Sequence, residues 1–177
     1  MRVVSVIGSS KANPEEYEVA YRVGRELARR KIAVVCGGRT GVMEAVCKGA
    51  REEGGLTVGI MPSYDGHEAN PYVSLKINTG MSWNRNPIVV ATGDMVVAIG
   101  GNYGTLSEIA YALILGKYVV GWKTHEVEGI EKAETPDEII RKVESFYERG
   151  RVPLGGDASE DDAQRDRGKI QKGSAEP

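Results

Sequence analysis

The sequence predicts an α/β protein: a single Rossmann-like domain built on a doubly wound parallel sheet with helices on both faces. Two observations carry the prediction. Short, continuously apolar runs alternate with longer segments of helical periodicity, and strands separated by helices form parallel βαβ units. The runs also lack polar alternation and mostly stop at glycine or proline, as expected of strands covered on both faces.

Residues 3–7 form the first such run and end at Gly8. Asn13-Pro14-Glu15-Glu16 then opens a helix. Asn13 can cap it, Pro14 suits the first helical position, and Glu16 completes a capping-box pattern. Tyr17, Ala20, Tyr21, Gly24, Leu27 and Ala28 recur at three- and four-residue spacing and make one apolar face. Residues 32–36 read as the second strand, stopped by Gly37-Gly38. Residues 41–53 read as a helix closed by Gly54-Gly55. Residues 57–61 are a third strand, stopped by Pro62, and 63–70 a loop. Residues 72–78 alternate and suit a short strand. Residues 81–92 contain a helix whose start Pro87 restricts. Residues 94–99 are a strand running into Gly100-Gly101, followed by a helix over about 105–115 that Gly116 ends. Residues 118–122 are the last clear strand, and Thr135-Pro136-Asp137-Glu138 opens a final helix reaching about Arg149. The domain is expected to span 1–150. Residues 151–177 are charged and almost free of apolar side chains beyond Asp157, the composition of a disordered tail.

Composition narrows the partners. The 177 residues include 23 Lys and Arg against 25 Asp and Glu, for a formal net charge of -2. That balance argues against nucleic acid as a partner. No apolar run approaches the roughly 20 residues that span a bilayer, and the N-terminal run is too short for a secretory signal, so no membrane association is expected. Two cysteines, Cys36 and Cys47, suit a reducing cytoplasm better than a disulfide framework.

In an open parallel sheet, ligands bind beyond the carboxyl ends of the strands. Three loops leave such ends and run into helices: Gly8-Ser9-Ser10-Lys11, Gly37-Gly38-Arg39-Thr40-Gly41 and Gly100-Gly101-Asn102-Tyr103-Gly104-Thr105. Glycine lets backbone N–H groups approach a ligand, and helix N-termini favour anions. One such loop is explained by a tight turn alone. Three on one sheet edge point to a phosphorylated small molecule. Neither a Walker-type segment nor a dinucleotide G-x-G-x-x-G turn is present. His67 and His125 lack partners at metal-ligand spacing, and Asp65, His67 and Glu68 read as a polar loop, so no catalytic metal is expected. No resident cofactor is expected either, since no Schiff-base lysine with its pyridinium partner can be identified.

These same segments resemble the Lonely Guy (LOG) family and its "lysine decarboxylase-like" relatives, from about Val3 to Tyr147. Gly8-Ser9-Ser10 is similar to the family's C-G-S-S loop, Gly37-Gly38-Arg39-Thr40-Gly41-Val42-Met43 to its G-G-G-x-x-G-L-M segment, and Gly101 to Glu108 to its P-G-G-x-G-T-x-x-E motif. Met81-Ser82-Trp83-Asn84-Arg85-Asn86 stands where the family carries M-x-x-R-K. The resemblance implies a phosphoribohydrolase that cleaves the N-glycosidic bond of a nucleoside 5'-monophosphate, with Arg85 and Glu108 catalytic. It implies phosphate or nucleotide binding by Gly8, Ser9, Ser10, Gly37, Gly38, Gly41, Gly101, Asn102, Gly104 and Thr105, and a homodimer or higher homo-oligomer. The sequence departs from the motifs at Cys36, Gly100, Asn102 and Asn86. Those departures resemble a divergent branch near proteins proposed to carry molybdenum cofactor. The alternative reading is therefore a non-catalytic carrier of a pterin-type or nucleotide-derived ligand. DNA handling, known for a related fold, has little support from the net charge.

The chemistry suits the first reading. Hydrolysis of an N-glycosidic bond develops positive charge on the sugar, which a carboxylate stabilises or relieves by activating water. Glu108 lies near the start of the helix that follows Gly104-Thr105, within reach of a sugar whose phosphate sits at that N-terminus. Arg85 can hold phosphate, orient the carboxylate or polarise the leaving base. The bland alternatives are a carboxylate complementing the helix dipole and an ordinary surface arginine. Arg39 and Lys11 are equally well read as ligand contacts or solvated side chains. Tyr111, Leu113 and Leu115, with Ile109 and Ile114, make the helix after Glu108 apolar nearly all round, which calls for cover on more than one side.

Overall fold

The first apolar run forms β1 (Arg2–Gly8), and α1 (Pro14–Arg29) follows it in a computed structural model that describes residues 1–150. The charged tail expected over 151–177 lies outside the described residues. Asn13 caps α1 as its sequence requires: its side chain accepts the Glu16 N–H at 2.9 Å, and Glu16 accepts the Asn13 N–H at 2.9 Å. The chain continues through β2 (Ile32–Cys36), α2 (Val42–Glu52), β3 (Thr57–Met61) and β4 (Leu75–Asn78). A 3₁₀ turn (Ser82–Arg85) runs into α3 (Asn86–Thr92), followed by β5 (Met95–Ile99), α4 (Tyr103–Ile114), β6 (Val119–Trp122), β7 (Ile130–Lys132) and α5 (Pro136–Glu148).

The strands form one seven-stranded sheet in the order β4-β3-β2-β1-β5-β6-β7, and every pairing is parallel. The side-chain period of two divides β1, β2 and β5 between two cores. Val4, Val6, Val34, Cys36, Met95, Val97 and Ile99 face α1, α2 and α5. Ile7, Val35, Val96 and Ala98 face α3 and α4. This is the expected doubly wound sheet.

Helices α1 and α2 approach closely because each offers a glycine at the crossing. A Cβ on Gly24 would strike the Val46 carbonyl of α2, and one on Gly49 the Tyr21 carbonyl of α1. Among the described residues no helix is long and apolar enough to cross a membrane. Cys36 and Cys47 are both buried and unbridged.

Three boundaries differ from the sequence reading. The strand expected over 72–78 begins only at Leu75, because the preceding stretch turns on Asn70: the Tyr72 N–H bonds Asn70 Oδ1 at 3.0 Å and the Val73 N–H bonds the Asn70 carbonyl at 3.3 Å. The helix expected within 81–92 is α3, which starts only at Asn86, after the 3₁₀ turn, with Pro87 in its first turn. Strand β7 was not expected. It is three residues long, and only Ile130 is partly buried, so no apolar run marks it.

Candidate functional site

Strand β1 sits where the sheet reverses its winding. Helix α1 leaves it toward one face, whereas α4 leaves the adjacent β5 toward the other. The loops after β1 and β5 therefore separate and leave a crevice at the carboxyl edge. A cleft of about 170 Å³ opens there.

Its first wall is the β1 loop. Gly8, Ser9 and Ser10 line the cleft. The Ser9 carbonyl accepts the Val42 N–H at 2.9 Å, which fastens the loop to the first turn of α2. Gly41 permits this contact. It has a φ of 69°, and a Cβ there would strike the Ser9 carbonyl oxygen. Thr40 adds a hydroxyl bond to the Ser10 carbonyl at 2.8 Å. The second wall is the start of α4, where Asn102, Gly104 and Thr105 line the cleft. Gly101 lies behind Thr105, with a φ of 111°.

Gly37 and Gly38 are arranged differently from a phosphate cradle. The Gly38 N–H donates to Cys36 Sγ at 3.3 Å, and the Gly38 carbonyl accepts from the Asn70 amide at 3.1 Å. The Gly37 carbonyl accepts from Arg85 Nη2 at 3.2 Å. Neither glycine lines the cleft, nor does Gly41 or Gly101. These four shape and support the walls that Ser9, Ser10, Asn102 and Thr105 present. Cys36 thus has a physical use at the position where the motif has glycine: its sulfur, 3.5 Å from Cys47 Sγ, takes an amide that the loop turns inward.

Arg85 and Glu108 meet on the floor of the cleft. Both are 6% exposed, and Arg85 Nη1 stands 3.7 Å from Glu108 Oε1. Arg85 is no surface arginine. Besides Gly37 it bonds the Asn86 side-chain oxygen through Nη1. Asn86 passes the restraint on, its amide donating to Ser107 Oγ at 3.1 Å, and Ser107 donates to the Gly104 carbonyl at 2.7 Å. This relay locks the guanidinium to the first turn of α4. Arg85 Nε is buried with no hydrogen-bond partner among the described residues. Burial pulls the Arg85 pKa below its ordinary value, against the pull of Glu108; the guanidinium remains charged.

Glu108 has no hydrogen-bond donor among the described residues. Burial raises its pKa to about 7, and Arg85 only partly offsets that. At 3.7 Å, with no shared hydrogen bond, the pair attracts too weakly to repay desolvation of the carboxylate. The result is a carboxyl group that exchanges its proton near neutrality, the condition for general acid-base work.

The structure thus brings the β1 loop, the start of α4, Arg85 and Glu108 to one cleft. Lys11 does not line it, whereas Arg39 and Met43 do. Sequence reasoning passed over Asn86, Asn70 and Trp83. Asn86 counted only as a departure from a motif. Asn70 is 6% exposed and ties the 63–74 segment to the Gly38 and Arg39 carbonyls, a role no local pattern signals. Trp83 lines the cleft mouth, and its nearness to Arg85 in sequence was its one available signal.

A family model described as the SLOG cluster4 family matches residues 1–148. An uncharacterised protein of Archaeoglobus fulgidus is 42% identical over 138 residues, which cover 77% of this chain and 91% of that protein. A probable cytokinin riboside 5'-monophosphate phosphoribohydrolase of Oryza sativa subsp. japonica is 32% identical over 112 residues, covering 61% of this chain and 49% of the rice protein. Among solved structures, the molybdenum cofactor binding protein of the phototrophic bacterium Rippkaea orientalis superposes with a TM-score of 0.78 at 32% identity, covering 82% of this chain and 96% of that one.

Proposed function

The chain belongs to the SLOG cluster4 family, and on that premise we propose that it is a phosphoribohydrolase acting on a nucleoside 5'-monophosphate. One observation carries the reading: Glu108, titrating near pH 7, lies buried beside Arg85 on the floor of a cleft walled by the start of α4. The phosphate is taken at that N-terminus by Thr105 and by backbone N–H groups of the first turn, with Ser9 and Ser10 opposite. The ribose then faces Glu108. The ionised carboxylate accepts a proton from water as the water oxygen bonds to C1'. The C1'–N bond breaks with its electron pair going to the base, whose nitrogen takes up a proton from solvent. Arg85 holds the anionic ligand and orients the carboxylate.

The test is release of free base and ribose 5-phosphate from a panel of purine and pyrimidine 5'-monophosphates, isopentenyl-AMP included. Release by the wild type and not by Glu108→Gln supports the assignment. Equal turnover by the variant sinks it.

The coverage of the relatives favours a second reading. The likeness to the molybdenum cofactor binding protein spans nearly that whole chain, whereas the phosphoribohydrolase match spans half of its partner. Binding of the same ligands without release would make this protein a carrier of a phosphorylated, pterin-type or nucleotide-derived ligand. We also propose that it works as a homodimer through α4, where Tyr111, Ile114 and Leu115 remain exposed.

A further inference from the structure

A second lobe of about 280 Å³ opens beside the first cleft. Arg39, Trp83 and Arg85 border both, and His67 and Glu68 wall only the second. Cationic Arg39 and Arg85 border both lobes, and each lobe has one carboxyl group of its own: Glu108 in the first and Glu68 in the second.

The Glu68 carboxylate is fixed and ionised. Glu68 Oε2 accepts the Ser63 hydroxyl at 2.6 Å and Oε1 the Ser63 N–H at 3.2 Å. Burial works against its charge, but the bonds from Ser63 and from its own backbone N–H, with His67 Nδ1 3.5 Å from Oε2, together keep its pKa below the ordinary value. An ionised carboxylate only accepts hydrogen bonds, and two oxygens offer more acceptor sites than Ser63 fills. Between the lobes, the Trp83 indole is 68% exposed. It lies against the first turn of α4, since a Cβ on Gly104 would come within 3.2 Å of its ring. A broad aromatic surface thus adjoins the proposed phosphate position.

We propose that the second lobe selects a heterocycle with a 2-amino-4-oxopyrimidine edge, the edge shared by guanine and pterins, with Trp83 stacking on the ring and Glu68 reading its donors. That edge offers a ring N–H and an adjacent amino group, two parallel donors that match a carboxylate. Adenine offers one amino donor beside an unprotonated ring nitrogen, whose lone pair the carboxylate repels. Stacking on Trp83 is tolerant of ring identity and supplies affinity. Glu68 supplies the choice, because a site built for donors rejects a ring that presents an acceptor. The inference rests on the reading of the first lobe as a phosphate site.

Calorimetric titration of the full chain carrying Glu108→Gln, so that nothing is turned over, tests it. The probes are ribose 5-phosphate, AMP, GMP and neopterin monophosphate. GMP or neopterin monophosphate is expected to bind at least about tenfold more tightly than AMP. Which of the two binds more tightly distinguishes a nucleotide from a pterin ligand. Adding Glu68→Gln removes the preference over AMP and leaves ribose 5-phosphate binding unchanged. Adding Trp83→Leu instead weakens every heterocyclic ligand toward the affinity of ribose 5-phosphate. Ribose 5-phosphate binding together with equal affinity for AMP, GMP and the pterin overturns the second-lobe assignment and leaves the phosphate site standing. Failure of all four probes to bind overturns both.

Discussion

Glu108 couples the site to the stability of the protein. Its folded pKa of about 7 lies above the ordinary carboxyl value near 4.5. The buried acid is best tolerated protonated, so its contribution to stability is complete below the unfolded pKa and is lost as pH rises through 7. The loss amounts to about 3 kcal/mol across that window. Glu108→Gln should flatten this part of the stability curve and make the protein more stable than wild type at pH 8, as denaturant midpoints at pH 4.5 and pH 8 would reveal. The same titration sets the direction of any activity profile: if Glu108 is the base, kcat/KM rises with pH through an apparent pKa near 7. Asn86 acts through Arg85. Asn86→Leu leaves the guanidinium with the Gly37 carbonyl and the loose contact to Glu108, an under-satisfied buried cation that should cost about 1–3 kcal/mol. Thermal unfolding of Asn86→Leu beside Arg85→Met separates loss of the relay from loss of the charge, and the first should be the more destabilising.

Elements are placed by contacts too close for side chains. The crossing of α1 and α2 depends on Gly24 and Gly49, each facing a carbonyl of the other helix. Gly49→Ala should therefore destabilise by about 1–3 kcal/mol through overpacking, although alanine is the better helix former. A gain in stability would show that the helices part without cost. The sequence marked α1 fully, from the Asn13 cap to its apolar face, because a capping box and a helical stripe are local signals. It placed β7 nowhere and began β4 too early. Both are edge strands, and edges have little apolar side chain to bury.

At the scale of the molecule, α4 is the element left half-covered. Ile109 and Ala112 pack beneath the sheet, while Ile114 is 71% exposed and Tyr111 and Leu115 are exposed beside it. In the homodimer we propose, this exposed apolar face is the contact between the two copies. Ile114→Lys is expected to leave the fold intact and shift the chain to monomer mass in light scattering; a wild type already monomeric at working concentration would remove α4 as a homodimer surface.

Apart from the edge strand β7, the order of strands and helices, the buried character of the sheet and the glycine-marked loops on its carboxyl edge were legible in the sequence, because each follows from local periodicity or local backbone freedom. Arg85 and Glu108 were visible too, through motif likeness. What they become was decided only in three dimensions. Arg85 is drawn inward by Gly37, 48 residues away, and Asn86 by Ser107, 21 residues away. Glu108 acquires its raised pKa from burial, which no residue pattern specifies. The same holds for Gly38, whose N–H the fold spends on Cys36 and whose carbonyl on Asn70, and for the Gly37 carbonyl, which accepts from Arg85. Proximity across the chain and desolvation are properties of packing. They arise when the sheet switch point gathers distant loops around one cleft.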